Sequence, residues 1–159
     1  MGTASRGNAA EAAVLHAFVE RDLDVFTPFG GGHSLDLIVH LGSELFLRVQ
    51  CKAAWPLRGC LVFNSHSTDH GRGPQSYRGL ADLFGVYFPP TKAVYLVPPN
   101  AVANFEGRLR LDPPLNNQRR GIRFAADFEI GCWRREDLER LVSPVRLRLV
   151  ERPEELSAG

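Results

Sequence analysis

With 159 residues, 44% of them hydrophobic and 23% charged, the chain has the size and balance of one soluble globular domain, which excludes global disorder and a fibrous class. The longest apolar runs, residues 35–41 and 93–99, fall far short of the roughly 20 apolar residues of a membrane-spanning helix. A net charge of +1 by itself favours no class of partner.

Taken in chain order, the polar residues 1–6 lack the apolar core of a secretory signal. Residues 8–20 read as a helix, because alanines mix with Val14, Leu15 and Phe18 at helical spacing and Asn8 is a suitable N-cap. Glu11 then falls in the first turn, where the helix dipole favours a carboxylate. Residues 24–27 read as a short strand, and residues 28–32, with three glycines, as a loop. Two longer strands follow, 35–41 and 44–51, joined at Gly42-Ser43 in a tight hairpin.

Pro56 is expected to end that strand region, with a further strand at 60–63. Residues 64–75, polar and glycine-containing with His66 and His70, read as a mobile loop. A short helix is expected at 77–84, then strands at 83–88 and 93–97 joined by Pro89-Pro90-Thr91, and another strand at 105–111. Residues 116–127 read as a turn and helix, and 135–142 as a charged helix. The order predicts an α/β fold, a mixed β-sheet flanked by helices, as one domain over residues 1–150 with a frayed tail at 151–159.

Cys51, Cys60 and Cys132 show no CxxC and no paired Cys/His spacing, so neither a disulfide framework nor a structural zinc site is indicated. Buried or half-buried free thiols in a cytoplasmic protein are the expectation. The basic residues are almost all arginine, since Lys52 and Lys92 are the only lysines. Arg108, Arg110, Arg119, Arg120 and Arg123 face a single acid, Asp112, in a locally basic segment.

The chemistry points to the hairpin. Closing it at Gly42-Ser43 brings Asp36, at the start of one strand, to the end of the other, where Gln50 and Lys52 share a face and Cys51 takes the opposite one. Leu35-Asp-Leu-Ile-Val-His40 and Leu47-Arg-Val-Gln-Cys-Lys52 are otherwise core-type strands, in which polar groups are costly unless partnered or used. A carboxylate from Asp36, an amide oxygen from Gln50 and the backbone carbonyl of Cys51 form an oxygen-rich set suited to Mg²⁺, with Mn²⁺ as a substitute. Lys52 would position the attacking water or stabilise a charged phosphate transition state, and Glu11 could bind metal or water.

Gly7-Asn-Ala-Ala-Glu11, Ser34-Leu-Asp-Leu-Ile-Val39 and Val49-Gln-Cys-Lys-Ala53 resemble the PD-(D/E)XK nuclease superfamily, in particular the group I intron-encoded homing endonucleases of that fold. Tyr77-Arg-Gly, Asp82-Leu-Phe-Gly-Val-Tyr87, Val94-Tyr-Leu-Val-Pro98 and Leu115-Asn-Asn-Gln118 extend the likeness over most of residues 7–130. The resemblance implies Mg²⁺-dependent hydrolysis of double-stranded DNA by a homo-oligomer, a dimer or tetramer, that is nucleoid-associated when on DNA. It matches Glu11 to the helix acid, Asp36 to the aspartate of the motif, Gln50 to its variable acid and Lys52 to its lysine. Leu35 stands where the motif's name has proline, and neutral Gln50 lowers the charge available to hold metal.

DNA contact is expected from Asn116, Asn117 and Gln118, whose amides can read base edges, and from Arg119, Arg120 and Arg123. Arg72 and Arg78 are further candidates, while His66 and His70 read as loop histidines rather than metal ligands or a general base, and His33, near Asp36, likewise reads as a loop histidine rather than a supporting group. The alternatives are a nuclease fold that binds DNA with weak or lost catalysis, a Holliday-junction-resolving nuclease, and a coincidental motif on a protein that does not touch nucleic acid.

Overall fold

The alanine-rich N-terminal segment forms the 17-residue helix α1 (Thr3–Val19) in a computed structural model of the chain, which describes residues 2–30, 33–69, 73–112 and 120–142. The helix starts five residues earlier than its apolar spacing suggests, with Gly2 as the extended N-cap. Thr3 to Arg6 contain no helix breaker, and Gly7 is tolerated inside at a cost of about 1 kcal/mol relative to alanine. Asn8 is therefore no cap, and Glu11 stands in mid-helix, where first-turn electrostatics do not explain it.

β1 (Asp24–Phe26), β2 (Leu37–His40) and β3 (Phe46–Ala53) follow as an antiparallel meander. The β2–β3 turn takes in Glu44 as well as Gly42 and Ser43, both of which adopt positive φ, and closes with the Leu41 N–H donating to Leu45 at 2.9 Å. β4 (Trp55–Leu57), β5 (Cys60–Asn64), β6 (His66–Asp69), β7 (Gly73–Ser76), β8 (Leu83–Phe88), β9 (Ala93–Val97) and β10 (Glu106–Arg110) complete the strands.

Three expectations give way. Pro56 lies within β4 rather than ending a strand region, which is possible because β4 is an edge strand whose missing N–H breaks no inner ladder. Residues 66–69 and 73–76 are strands rather than loop: β6 and β7 pair antiparallel, His66 opposite Ser76. Residues 77–82 form a turn closed by a bridge between Arg78 and Ala81, not a helix, and the strand begins at Leu83. Of the expected late helices, residues 125–128 are a 3₁₀ turn and α2 (Arg135–Glu139) is short. Residues 113–119 and 143–159 lie outside the described residues.

The main sheet has the order β1-β2-β3-β8-β9, with β3 and β8 parallel and the other pairs antiparallel, so it is the expected mixed sheet. One face packs on α1, with Val14 and Phe18 against Leu37, Val39, Leu47, Val49 and Leu96, and Leu138 of α2 joins the same core. Gly85 makes the close approach of α1 possible, since a Cβ there would lie 2.4 Å from a Val14 methyl. The other face, with Phe84, Val86 and Val97, packs on a smaller sheet of order β10-β5-β4 through Leu61, Phe63 and Leu109.

Candidate active site

Register decides which side chains meet. Leu37 pairs with Val49, so the backbone just before β2 reaches the far end of β3, and the Asp36 N–H donates to the Val49 carbonyl at 3.1 Å. The Asp36 carboxylate turns across that end. Its Oδ2 accepts from Gln50 Nε2 at 2.5 Å and from the Cys51 backbone N–H at 2.7 Å. Alternation sends Cys51 to the α1 core while Gln50 and Lys52 take the opposite face.

Gln50 is only 8% exposed, and its Oε1 is buried with no hydrogen-bond partner among the described residues. A buried acceptor left without a donor costs about 1–3 kcal/mol. Lys52 crosses the face of Tyr77, its ammonium 4.4 Å from the ring centre, and donates to the His66 carbonyl at 3.3 Å.

Burial raises the Asp36 carboxyl above its ordinary value, against the lowering effects of the Cys51 N–H and the Lys52 charge. Glu11, reaching from α1, is raised by burial and then by the Asp36 carboxylate, which places the two acids within electrostatic range. Burial brings the Lys52 ammonium down to about 8, although Asp36 favours its charge. Cys51 is pushed up by burial and by both acids, so it is an inert core thiol. Asp36 and Gln50 are thus in contact, and the charges of Lys52 and Glu11 act on Asp36.

The donor set fits a hard divalent cation. Two carboxylates of like charge and an orphaned amide oxygen are what a cation would satisfy, and oxygen donors are those Mg²⁺ takes. Among the described residues no group of three or more His, Cys, Asp or Glu is placed to hold a metal, so an ion here would need the amide and backbone oxygens beside the acids.

Of the expected DNA contacts, Asn116, Asn117, Gln118 and Arg119 lie outside the described residues, as do His70 and Arg72. Arg120 and Arg123 are exposed. Arg123 runs beside β10, its carbonyl accepting the Arg110 N–H at 2.8 Å, on the edge of the small sheet opposite β4. His33 donates to the Phe29 carbonyl at 2.8 Å and lines a small apolar pocket with Phe26 and Ile38, so it does not support Asp36. Cys132 is exposed rather than buried.

One feature went unread in the sequence. Asp82, whose side chain is 3% exposed, takes a two-pronged ion pair from Arg48, 2.7 Å at its closer contact, and accepts the Arg48 backbone N–H at 2.9 Å. This lock pins the 77–82 turn, and with it Tyr77, beside β3. Its signal was a charged residue, Arg48, within one apolar strand and another, Asp82, directly before a second. His66, read from the sequence as a loop histidine, lies in β6 and its carbonyl meets Lys52.

The sequence matches the model of a family described as PD-(D/E)XK endonuclease over residues 1–131. Among solved structures the fold is similar to that of a bacterial homing endonuclease, I-Ssp6803I, with a TM-score of 0.59 and 20% sequence identity, covering 80% of this chain and 86% of that one. No curated protein matches the sequence.

Proposed function

The chain belongs to the PD-(D/E)XK endonuclease family, and on that premise we propose that it is a divalent-metal-dependent endonuclease that hydrolyses phosphodiester bonds of double-stranded DNA through Glu11, Asp36, Gln50 and Lys52. The observation that carries this reading is the convergence of Asp36, Gln50 and Lys52 at one end of the β2–β3 hairpin, with the Gln50 Oε1 buried and unanswered.

Asp36, the Gln50 amide oxygen, the Cys51 carbonyl and Glu11 would hold Mg²⁺, or Mn²⁺ in its place. The ion, when bound, supplies polarisation of a phosphate oxygen and a more acidic water. Asp36 is oriented by the Cys51 N–H and by Gln50, and Glu11 offers a second carboxylate from the helix. Lys52 brings a positive charge to the phosphate undergoing attack, and its contacts with Tyr77 and the His66 carbonyl fix where that charge sits. No helix among the described residues is long and apolar enough to cross a membrane.

The test is cleavage of supercoiled plasmid with Mg²⁺ or Mn²⁺ against an EDTA control, using the wild type, Asp36→Ala and Lys52→Ala. Metal-dependent nicking or linearisation that both substitutions reduce is the expected result, and unchanged cutting by either variant removes that residue from the site. Salt-sensitive DNA binding with no cutting assigns the chain to the binding-only alternative, which neutral Gln50 favours. Branched and linear substrates run side by side decide on junction resolution, and light scattering decides whether the chain forms the expected homo-oligomer.

A further inference from the structure

Beside Lys52, a cleft of about 460 Å³ opens between the first turns of α1, the end of β3, and β4 to β6. Its lining combines Arg6, Lys52, Asn64 and His66 with the apolar surfaces of Trp55 and Tyr87. None of its described lining residues is acidic, so the cleft is selectively suited to an anion with an apolar body. Trp55 is 38% exposed, leaving ring surface open to a ligand.

His66 is held in a way that fixes which ring nitrogen is left to meet a ligand. Its Nδ1 lies 2.8 Å from the Phe105 backbone carbonyl, and a carbonyl can only accept, so Nδ1 carries a proton and Nε2 is the atom left for a ligand. The Phe105 ring meets the imidazole edge-on at 5.8 Å. The His66 carbonyl meanwhile accepts from Lys52, so one residue ties the cleft wall to the proposed reaction centre.

We propose that this cleft seats the nucleotide next to the phosphate being cut, with His66 Nε2 and the Arg6 guanidinium on its phosphate and Trp55 against its base or sugar. This deepens the nuclease reading and rests on it. A guanidinium donates to phosphate oxygens, and because a phosphate oxygen only accepts, His66 meets it as the imidazolium, donating from Nε2 while Nδ1 donates to Phe105; an aromatic face accepts any base without sequence preference. His66 and Arg6 act here as positioning residues for the strand, not as acid or base.

Two substitutions separate a ligand role from a structural one. Asn at position 66 can keep the donation to Phe105 but lacks an atom where Nε2 lies, whereas Gln can place a nitrogen there. Binding of a fluorescent 30-base-pair duplex is measured in EDTA over a range of salt for the wild type, H66N, H66Q, R6A and W55A, followed by steady-state cleavage with Mg²⁺. H66N is expected to bind at least about threefold more weakly, with H66Q closer to the wild type. R6A is expected to weaken binding and make the salt slope shallower by about one. W55A is expected to bind about fivefold or more weakly with the slope unchanged, and all three losses to appear in KM more than in kcat.

Should the wild type cut DNA while H66N, R6A and W55A bind and cut as it does, the cleft assignment is overturned and the nuclease reading stands. If the wild type does not cut but these variants lose DNA affinity, the cleft holds as a DNA groove and the nuclease reading fails. A wild type that binds no DNA at low salt overturns both.

Discussion

Asp36 and Gln50 hydrogen bond across the open end of the β2–β3 hairpin, and the bond turns the Gln50 amide so that its oxygen is buried without a donor among the described residues. Replacing Gln50 with glutamate exchanges a donor toward Asp36 for a second negative charge. In EDTA, Gln50→Glu is expected to lose about 1–3 kcal/mol of stability, since like charges are forced together out of water. With Mg²⁺ the same variant is expected to gain more stability than the wild type, by about 1.4 kcal/mol for each tenfold tightening of binding. Thermal unfolding with and without Mg²⁺ measures both, and an equal metal increment in the two proteins would remove Gln50 from the ion's surroundings.

Asp36→Asn supplies the opposite test. Burial raises the Asp36 carboxyl, so the folded state disfavours the carboxylate relative to the unfolded one, and stability falls as pH rises through the window above the ordinary carboxylate value. Asparagine keeps an acceptor for the Cys51 N–H without the charge. The metal-free variant is expected to melt higher than the wild type, to lose its response to Mg²⁺ and to lose cleavage. A lower melting temperature in EDTA would contradict this account.

Lys52 dominates the alkaline side. The folded chain releases this proton near pH 8, whereas the group's ordinary value is 10.5, so between these limits the unfolded chain binds more protons and metal-free stability rises with pH. The rise from this one group amounts to no more than about 3 kcal/mol. Lys52→Met is expected to flatten it and to lower cleavage about 10²- to 10³-fold, the range for removing a group that stabilises transition-state charge, while DNA affinity stays within a fewfold. Urea unfolding at pH 7.5, 9 and 10.5 follows the first effect, and single-turnover cleavage the second. An unchanged slope in Lys52→Met would sink the assignment.

The hairpin was legible in the sequence because the alternation of apolar residues sets its faces and the polar residues stand out against that pattern. β8 and β9 were legible as short continuous apolar runs, and β10 by its alternation of charged residues with Gly107 and Leu109. What failed was nonlocal. The 77–82 turn looks helical in isolation and is set by Asp82 meeting Arg48, 34 positions away. β6 and β7 have no apolar alternation to announce a strand, and their register rests on cross-strand backbone pairing. His66 enters the cleft only because Phe105, 39 positions on, accepts its ring proton. The early start of α1 was hidden by Gly7, whose intrinsic penalty is smaller than what burying Ala10, Val14 and Phe18 contributes.

The Arg48–Asp82 lock is expected to be among the largest polar contributions to the fold. Asp82→Ala leaves a partly buried guanidinium and the Arg48 backbone N–H without their acceptor, which costs about 3–5 kcal/mol. Asp82→Asn, which retains one acceptor, is expected to cost less. Because the turn also carries Tyr77 beneath Lys52, the asparagine variant is expected to cut DNA more slowly even where it is fully folded. A double-mutant cycle with Arg48→Met measures the coupling, and strict additivity of the two single effects would show that the pair does not act as a lock.

Gly85 links packing to the site. A methyl group there would sit 2.4 Å and 3.1 Å from the two Val14 methyls, and Val14 is three residues from Glu11 on the same helix. Gly85→Ala is expected to cost about 1–3 kcal/mol through overpacking and to push α1 outward, carrying Glu11 away from Asp36. Cleavage is then expected to fall in the folded variant, with DNA affinity in EDTA changed little. Val14→Ala removes the obstructing methyls, so Gly85→Ala/Val14→Ala is expected to recover activity relative to Gly85→Ala alone, even if the pair is less stable than the wild type. Urea unfolding and single-turnover cleavage on the four proteins of this cycle separate the two effects, and a Gly85→Ala protein that is folded and fully active would show that the position of α1, and hence of Glu11, does not limit the reaction.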